Sequence, residues 1–182
     1  MNTMSDCVYP CPCGFAGDAQ KPCMCAPAVV TRYQKRIPGP LLDRIDIHIE
    51  VPRVDYEKLS GDRLGETSES IRLRVQAARD IQNKRFSNAG SKDVICNADM
   101  RVGEVRQFCQ LQAEGQSLMR SAMSQLNLSA RAYHRILKLS RTIADLAGSE
   151  EIQSAHLAEA LHASQSPKDH DGVIKPKYSD IG

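Results

Sequence analysis

Four of the seven cysteines form two C-x-C pairs near the N-terminus, namely Cys11, Cys13, Cys23 and Cys25. Four converging thiolates hold Zn²⁺ tetrahedrally, and Gly14 and Gly17 allow the loop between the pairs to turn back. The pattern therefore predicts a zinc site. Two alternatives stay open at this point: reduced thiols that pack as small apolar groups, and Cys7 in place of one of the four ligands.

The other cysteines and the N-terminal residues bear on the compartment. Cys96 and Cys109 lie far downstream among helical patterns, where buried small side chains are the expected role. The sequence shows no apolar leader and no run of membrane-span length. We therefore expect a soluble, cytoplasmic protein that contacts no membrane. In that compartment clustered cysteines indicate a metal rather than disulfides.

Arg44 lies at the joint between a turn and an extended segment. The Pro-Gly-Pro sequence at 38–40 favours a sharp turn, and Asp43 and Asp46 flank the arginine. Apolar and polar residues then alternate over 45–51, which predicts one short, half-buried β-strand. An arginine between two carboxylates at such a boundary is held in one direction. Simple pairing with either aspartate is the competing interpretation.

The rest of the chain predicts helices, so the fold class is mainly α. A short helix with a basic end is expected over 29–36, and 61–68 reads as a linker. Further helices are expected from Ser68 to about 87–91, from Asp99, over 114–126, from Ser129 to Gly148, and from Ser149 onward. The helices between 68 and 162 bury one another as a small bundle. The polar residues after 164 predict a mobile tail.

The helix that begins after Ser129 carries the clearest surface pattern. Its predicted apolar stripe consists of Ala132, Ile136, Ile143 and Ala147, with Tyr133, Leu137 and Ala144 beside it. Its basic residues, Arg131, Arg135, Lys138 and Arg141, form a candidate DNA-binding ridge. The formal net charge is only +2, so global charge does not indicate a nucleic-acid binder. A solvated helix face is the commoner role for such a ridge.

No nucleotide-hydrolysing site is complete within the sequence. There is no Gly-Lys pair, and hence no G-x-x-x-x-G-K-[ST] phosphate cradle. There is also no apolar strand ending in Asp-Glu that would hold Mg²⁺. The five histidines are dispersed and no Ser/His/Asp set stands out. We expect no ATP hydrolysis by these residues alone.

Three segments in this order carry a family resemblance. They are PCPCG at 10–14 with the second cysteine pair, GPLLDRIDIH at 39–48, and LSARAYHRILK at 128–138 followed by RTIADL at 141–146. Together they resemble the C-terminal portion of the magnesium-chelatase-like AAA+ ATPases, in particular the ComM/YifB branch. The resemblance covers about residues 10–162. It implies an AAA+ core remnant over 1–60, a helical lid domain over 65–163 and a disordered tail over 164–182.

The resemblance also implies roles for two arginines. Arg44 matches the arginine finger, which stabilises the phosphoryl transition state in a neighbouring subunit. Arg131 matches the sensor-2 arginine, which contacts the γ-phosphate within its own subunit; a solvated helix start is the alternative. A guanidinium suits both roles because it is always charged, planar and forked toward phosphate oxygens. The implied cofactor is ATP with Mg²⁺, held with the help of the P-loop core that this sequence lacks.

The partners implied by the family are further AAA+ subunits in a hexamer and, for ComM-type relatives, DNA undergoing branch migration. Chelatase relatives instead drive metal insertion into porphyrin. One departure concerns Tyr9, because family members carry a sensor-1 asparagine there that positions the attacking water. Residues 1–8 also lack the expected apolar strand, so a truncated or remnant reading frame is expected. The alternatives are a zinc-stapled DNA-binding module without ATPase activity and a non-functional gene fragment.

Overall fold

The structure, a computed structural model, describes residues 9–18, 20–36, 45–49, 51, 54, 65–91 and 93–165. The chain divides into two compact units, Met1–Leu59 with Gln165–Gly182 and Ser60–Ser164. Within the described residues it contains six α-helices, one 3₁₀ turn and one isolated β-bridge. The predicted mainly helical character is confirmed. None of the described helices is long and apolar enough to cross a bilayer.

Of the six described helices, one belongs to the first unit and five belong to the second. The first unit contains α1 (Pro27–Gln34). The second contains α2 (Ser68–Asn88), a 3₁₀ turn (Asn97–Asp99), α3 (Val102–Phe108), α4 (Ala113–Gln125), α5 (Ala130–Leu146) and α6 (Ser154–Ser164). In the second unit α5 is central, because it packs against α2, α3, α6 and the 3₁₀ turn.

The ends of α5 follow from local sequence signals. The Ser129 hydroxyl accepts a hydrogen bond from the Ala132 N–H at 3.2 Å, which confirms the predicted N-cap. At the other end Gly148 has a φ of +67°, and the Ser149 N–H donates to the Ala144 carbonyl at 2.9 Å. This is the Schellman arrangement, in which a left-handed residue satisfies the last carbonyls of a helix. Both predicted boundaries of α5 are thus confirmed.

The start of α2 differs from the prediction by one residue. Thr67, not Ser68, is the N-cap, and its hydroxyl accepts from the Ser70 N–H at 3.3 Å. Either side chain can cap a helix, so propensity alone does not choose between adjacent candidates. The helix ends at Asn88, within the predicted range, and Gly90 then has a φ of +68°.

The buried face of α5 is rotated from the predicted stripe. Ile136 is buried as expected, whereas Ala147 is exposed at the C-cap. Leu137 and Ala144 take its place in the core. The fourteen buried residues of this core are Phe86, Val94, Met100, Val105, Cys109, Met119, Ala122, Ile136, Leu137, Ala144, Ile152, Leu157, Ala160 and Leu161.

A buried carboxylate joins α2 to α5. The side chain of Asp145 is fully buried and accepts from Arg85 of α2 through two nitrogens, one of them at 2.9 Å. It also accepts from the Nε of Arg141 at 3.0 Å and from Asn97 at 2.7 Å. Burial lowers the pKa of Arg141, and Asp145 opposes this effect. The carboxylate therefore supplies the counter-charge that favours the charged form of the buried Arg141 guanidinium.

The last helix begins later than predicted. Residues from Ser149 form a connection, and α6 begins at Ser154. Arg141 explains the delay, because its Nη atoms donate to the carbonyls of Ser149 and, at 2.7 Å, Glu150. Those carbonyls are therefore directed at a side chain rather than along a helix. The connection also buries Ile152, which forms a parallel bridge with Leu111.

The predicted β-strand is not formed in the part of 45–51 that the structure describes, residues 45–49 and 51. Residues 45–49 have no strand assignment, and Ile47 and Ile49 are 49% and 79% exposed. A strand needs a neighbouring strand for its hydrogen bonds, and the described part of the chain supplies none. Alternating sequence was therefore insufficient for a strand here.

We predict that Asp145→Asn lowers the free energy of unfolding by about 3–5 kcal/mol, because it leaves the buried Arg141 and the partly buried Arg85 without their counter-charge. Asp80→Asn is the matched control, since Asp80 is exposed and accepts a hydrogen bond from Gln76 in its own helix. The control is expected to change stability by less than about 0.5 kcal/mol. Urea unfolding of the full chain measures both. Equal small losses for the two variants would contradict a structural role for the buried charge.

Candidate metal centre

Two tight turns fold the cysteine loop. The Gly14 N–H donates to the Cys11 carbonyl at 3.0 Å, and Gly14 has a φ of +82°. Gly17 has a φ of +85°, which a side chain with a Cβ rarely adopts. After this turn the Asp18 carboxylate accepts from the backbone N–H groups of Gln20 and Lys21 at 2.8 and 3.1 Å. These turns bring the second cysteine pair back to the first, as the glycine positions predicted.

The four sulfurs of Cys11, Cys13, Cys23 and Cys25 all lie within 4.8 Å of one another. The Cys11–Cys13, Cys11–Cys23 and Cys13–Cys23 Sγ distances are 3.3, 3.7 and 3.5 Å. A tetrahedral Zn site with Zn–S bonds of about 2.3 Å requires sulfur separations of about 3.8 Å. All four cysteines are free rather than disulfide-bonded. Their spacing thus fits a single tetrahedral cation.

The electrostatics of the cluster also favour a cation. The backbone N–H of Phe15, followed by the Cys11 thiol, lowers the pKa of Cys13 to about 6. The N–H of Cys25 favours the Cys23 thiolate, but burial and the neighbouring sulfurs outweigh it and raise the pKa of Cys23 to about 12. The pKa of Cys25 is also raised: the N–H of Cys13 opposes the rise, while the Cys13 sulfur and burial cause it. The negative charge of one thiolate therefore opposes deprotonation of the neighbouring thiols, and the positive charge of a divalent ion offsets this repulsion.

Burial in the cluster is uneven in a way that suits a structural metal. Cys11 is fully buried, and the other three cysteines are half-buried. Four soft thiolate donors select Zn²⁺ over hard cations such as Mg²⁺. Four protein ligands also close the coordination sphere, so such a zinc ion stabilises structure and offers no position to a substrate.

The other predicted site residues lie outside the cysteine cluster or outside the described residues. Arg44 and the alternative ligand Cys7 lie outside the described residues. Arg131 is exposed at the second position of α5. Arg131 belongs to the second unit, and the four cysteines belong to the first.

The predicted basic ridge on α5 is wrong for Arg141, which is buried, and Lys138 is only partly available at the surface. Arg141 is only 3% exposed, and its guanidinium is committed to Asp145 and to the chain after α5. Lys138 is half-buried and donates to the Ala98 carbonyl at 2.9 Å. The i,i+4 spacing of Arg141 and Asp145 is the sequence signal that could have identified this ion pair.

Comparison with known families gives two adjacent matches. The family described as magnesium chelatase, subunit ChlI, matches residues 3–59. The family described as magnesium chelatase, subunit ChlI C-terminal, matches residues 65–163.

Individual relatives agree with these matches. The competence protein ComM of Haemophilus influenzae is 45% identical over 138 residues, which cover 75% of this chain and 26% of that protein. The uncharacterized protein YifB of Escherichia coli is 39% identical with the same coverage. An uncharacterized protein of Mycobacterium tuberculosis is 32% identical over 157 residues, or 86% of this chain and 30% of that protein. The chain thus spans between a quarter and a third of the length of these relatives, and the resemblance seen in the three motifs is confirmed.

We predict that the purified, reduced protein contains about one Zn²⁺ per chain, because four convergent thiolates form one tetrahedral site. Atomic emission with a protein assay measures the ratio. Cys25→Ser is expected to lose the metal, since a hydroxyl replaces a thiolate ligand. Cys96→Ser is the control, because Cys96 is far from the cluster in sequence and its thiol donates to Asp99 at 3.2 Å. A metal-free protein with four freely titratable thiols would refute the site.

Cys109 provides a pH-dependent prediction for the bundle. Burial raises the pKa of Cys109 to about 11, so its reactive thiolate forms only as the pH rises toward that value. We therefore expect iodoacetamide at pH 8 to leave Cys109 unmodified in the native protein and to alkylate it after unfolding in urea. Peptide mass spectrometry measures the modification. Equally fast alkylation before and after unfolding would show that Cys109 is accessible.

Proposed function

Because the chain belongs to the magnesium chelatase ChlI C-terminal family, we propose that it is the lid-bearing region of a ComM/YifB-type AAA+ ATPase. In this proposal it acts on ATP and Mg²⁺ that a P-loop core binds. The chief support is that the ChlI and ChlI C-terminal matches follow each other in order, over 3–59 and 65–163. The 182 residues contain no P-loop sequence, so nucleotide binding requires a further polypeptide segment.

Arg131 is the proposed sensor-2 residue of the lid. Its exposure leaves the guanidinium available to a γ-phosphate, and its position in the first turn of α5 adds the positive end of the helix dipole. The Ser129 cap fixes the start of α5, and the Asp145 network fixes its end. The rigid helix fixes the backbone position from which this arginine reaches the phosphate.

Arg44 is the proposed arginine finger, a role that the sequence motif alone supports. In that role it enters the nucleotide site of the next subunit, where its charge stabilises the transferring phosphoryl group. The assembly is then a ring in which each site is completed by two subunits, as in the family's hexamers. Tyr9 stands where the family has its sensor-1 asparagine, so the attacking water must be positioned without that amide.

The four-cysteine cluster is proposed to hold a structural Zn²⁺, as its spacing and donor set favour. DNA is the proposed substrate of the whole assembly, in line with the word "competence" in the name of one relative. An independent DNA-binding module is less well supported, because the ridge on α5 loses Arg141 to the interior. The whole-protein activity belongs to the assembly rather than to these residues alone.

A chimera tests the arginine roles. The full 182-residue chain replaces the matching region of Haemophilus influenzae ComM, and ATP turnover is followed by phosphate release. We expect Arg131→Ala to lower kcat on the order of 100-fold or more, as loss of a transition-state donor does. Arg44→Ala is expected to lower it by about 1,000-fold. The 182-residue chain alone is expected to show no turnover.

Two controls make this experiment specific. Arg120→Ala removes another exposed arginine, on α4, and should leave turnover unchanged. Arg131→Lys keeps the charge but loses the forked donor pair, so it should recover only part of the rate. Unchanged kcat and KM in Arg131→Ala would overturn the sensor-2 assignment.

Subunit mixing separates the two arginines. Chimeras carrying Arg44→Ala are co-assembled with chimeras whose P-loop lysine is replaced. Turnover should partly return, because an intact finger from one subunit meets an intact P-loop in the next. A mixture of Arg131→Ala chimeras and P-loop-lysine variants should stay inactive. In it, every nucleotide site lacks either the Arg131 or the P-loop lysine of its own subunit. Recovery in both mixtures would contradict a role for Arg131 within its own subunit.

A further inference from the structure

Helix α1 has little intrinsic stability. It spans eight residues, Pro27–Gln34, and none of them is buried. Its N-cap, Ala26, makes no side-chain capping bond, and its first turn has no acidic residue. Isolated helices of this length are marginal in water even when their sequences favour helix. Something outside α1 must therefore hold it in place.

Each end of α1 is tied to a different cysteine pair. At the N-terminal end, Cys25 of the second pair directly precedes the N-cap residue Ala26. At the C-terminal end, the Gln34 Nε2 donates to the carbonyl of Pro10 at 3.0 Å, and Pro10 directly precedes Cys11 of the first pair. The helix is thus anchored at both ends on the two C-x-C segments, and its position depends on how they are held together.

No apolar core substitutes for this anchoring within the described parts of 9–36. Across 9–18 and 20–36 the buried residue is Cys11 alone, and it lies among the four sulfurs. The loop also has turn hydrogen bonds and a cation–π contact of the Lys21 Nζ, 4.1 Å from the centre of the Phe15 ring. The sulfur cluster therefore occupies the place that a hydrophobic core has in larger domains.

We propose that residues 9–36 form a metal-dependent folding unit, in which the ion bound by the four cysteines takes the place of an apolar core. Helix α1 is ordered only while this ion is bound. This rests on the zinc site proposed above and goes beyond it. Metal binding then drives the folding of this segment, as in other small metal-stapled units. The bundle of the second unit has its own apolar core and does not need the ion.

Hydrogen exchange of the full 182-residue protein tests the coupling. The reduced protein is compared in three states: loaded with Zn²⁺, stripped with a chelator, and reloaded with Zn²⁺. Chelation is expected to speed amide exchange in peptides covering α1 by at least about tenfold, because local opening becomes the dominant state. Peptides covering α3 to α6 should exchange at unchanged rates, and reloading should restore α1.

A variant isolates the second anchor. Gln34→Ala removes the hydrogen bond to Pro10 but no sulfur, so the protein should bind Zn²⁺ with unchanged stoichiometry while α1 exchanges faster. Lys35→Ala, at an exposed neighbouring position, is the matched control and should leave α1 exchange unchanged.

The outcomes separate the coupling from the metal site itself. Normal zinc content with equal α1 exchange before and after chelation would overturn the coupling and leave the site intact. A protein that binds no Zn²⁺ and still protects α1 would overturn both. Faster exchange throughout the bundle after chelation would show that the ion is not confined to folding residues 9–36, which also contradicts the proposal.

Discussion

The helical bundle depends on one fully buried carboxylate. Asp145 is the meeting point of Arg85 from α2 and Arg141 from α5, so the two helices are joined by charge as well as by apolar contact. Two guanidinium groups exceed one carboxylate in charge, and neutral acceptors compensate. Asn97 offers its side-chain oxygen to Arg85 at 3.1 Å, and backbone carbonyls accept from Arg141. A buried network of this kind is stable only when every member is satisfied, and this one is close to that condition.

The N-terminal segment also needs an interaction that holds it together, but it does not use a buried ion pair between helices. It has no comparable apolar interior among its described residues, and four sulfurs converge where a core would lie. Small units that bury little surface usually need disulfides or metals to stay folded. Under the proposed metal-dependent folding, the order of one unit depends on an ion and the order of the other depends on packing.

Local signals in the sequence were sufficient where one residue decides a feature. Ser129 and Gly148 define the ends of α5 because a cap hydroxyl and a positive φ act at single positions. The cysteine cluster was predictable for a similar reason, since spacing and residue type fix the donor set. The i,i+4 spacing suggests that Arg141 pairs with Asp145, but not that the pair is buried, because the second partner of Asp145 is Arg85, 56 positions before Arg141, which only the fold brings close. The strand expected over 45–51 failed for a related reason, since pairing is a property of two segments and not of one.

Arg141 bonds to the connection after α5, and these bonds limit which amino acids are tolerated at position 141 but not at positions 149 and 150. Its guanidinium bonds to main-chain carbonyls at 149 and 150, which every amino acid possesses. Side chains at those two positions are therefore free to drift without loss of the contact. Position 141 has no such freedom. The Nε, Nη1 and Nη2 atoms of Arg141 each donate to a different acceptor, and a lysine in its place would offer a single nitrogen. The constraint on this turn is thus carried by a residue outside it.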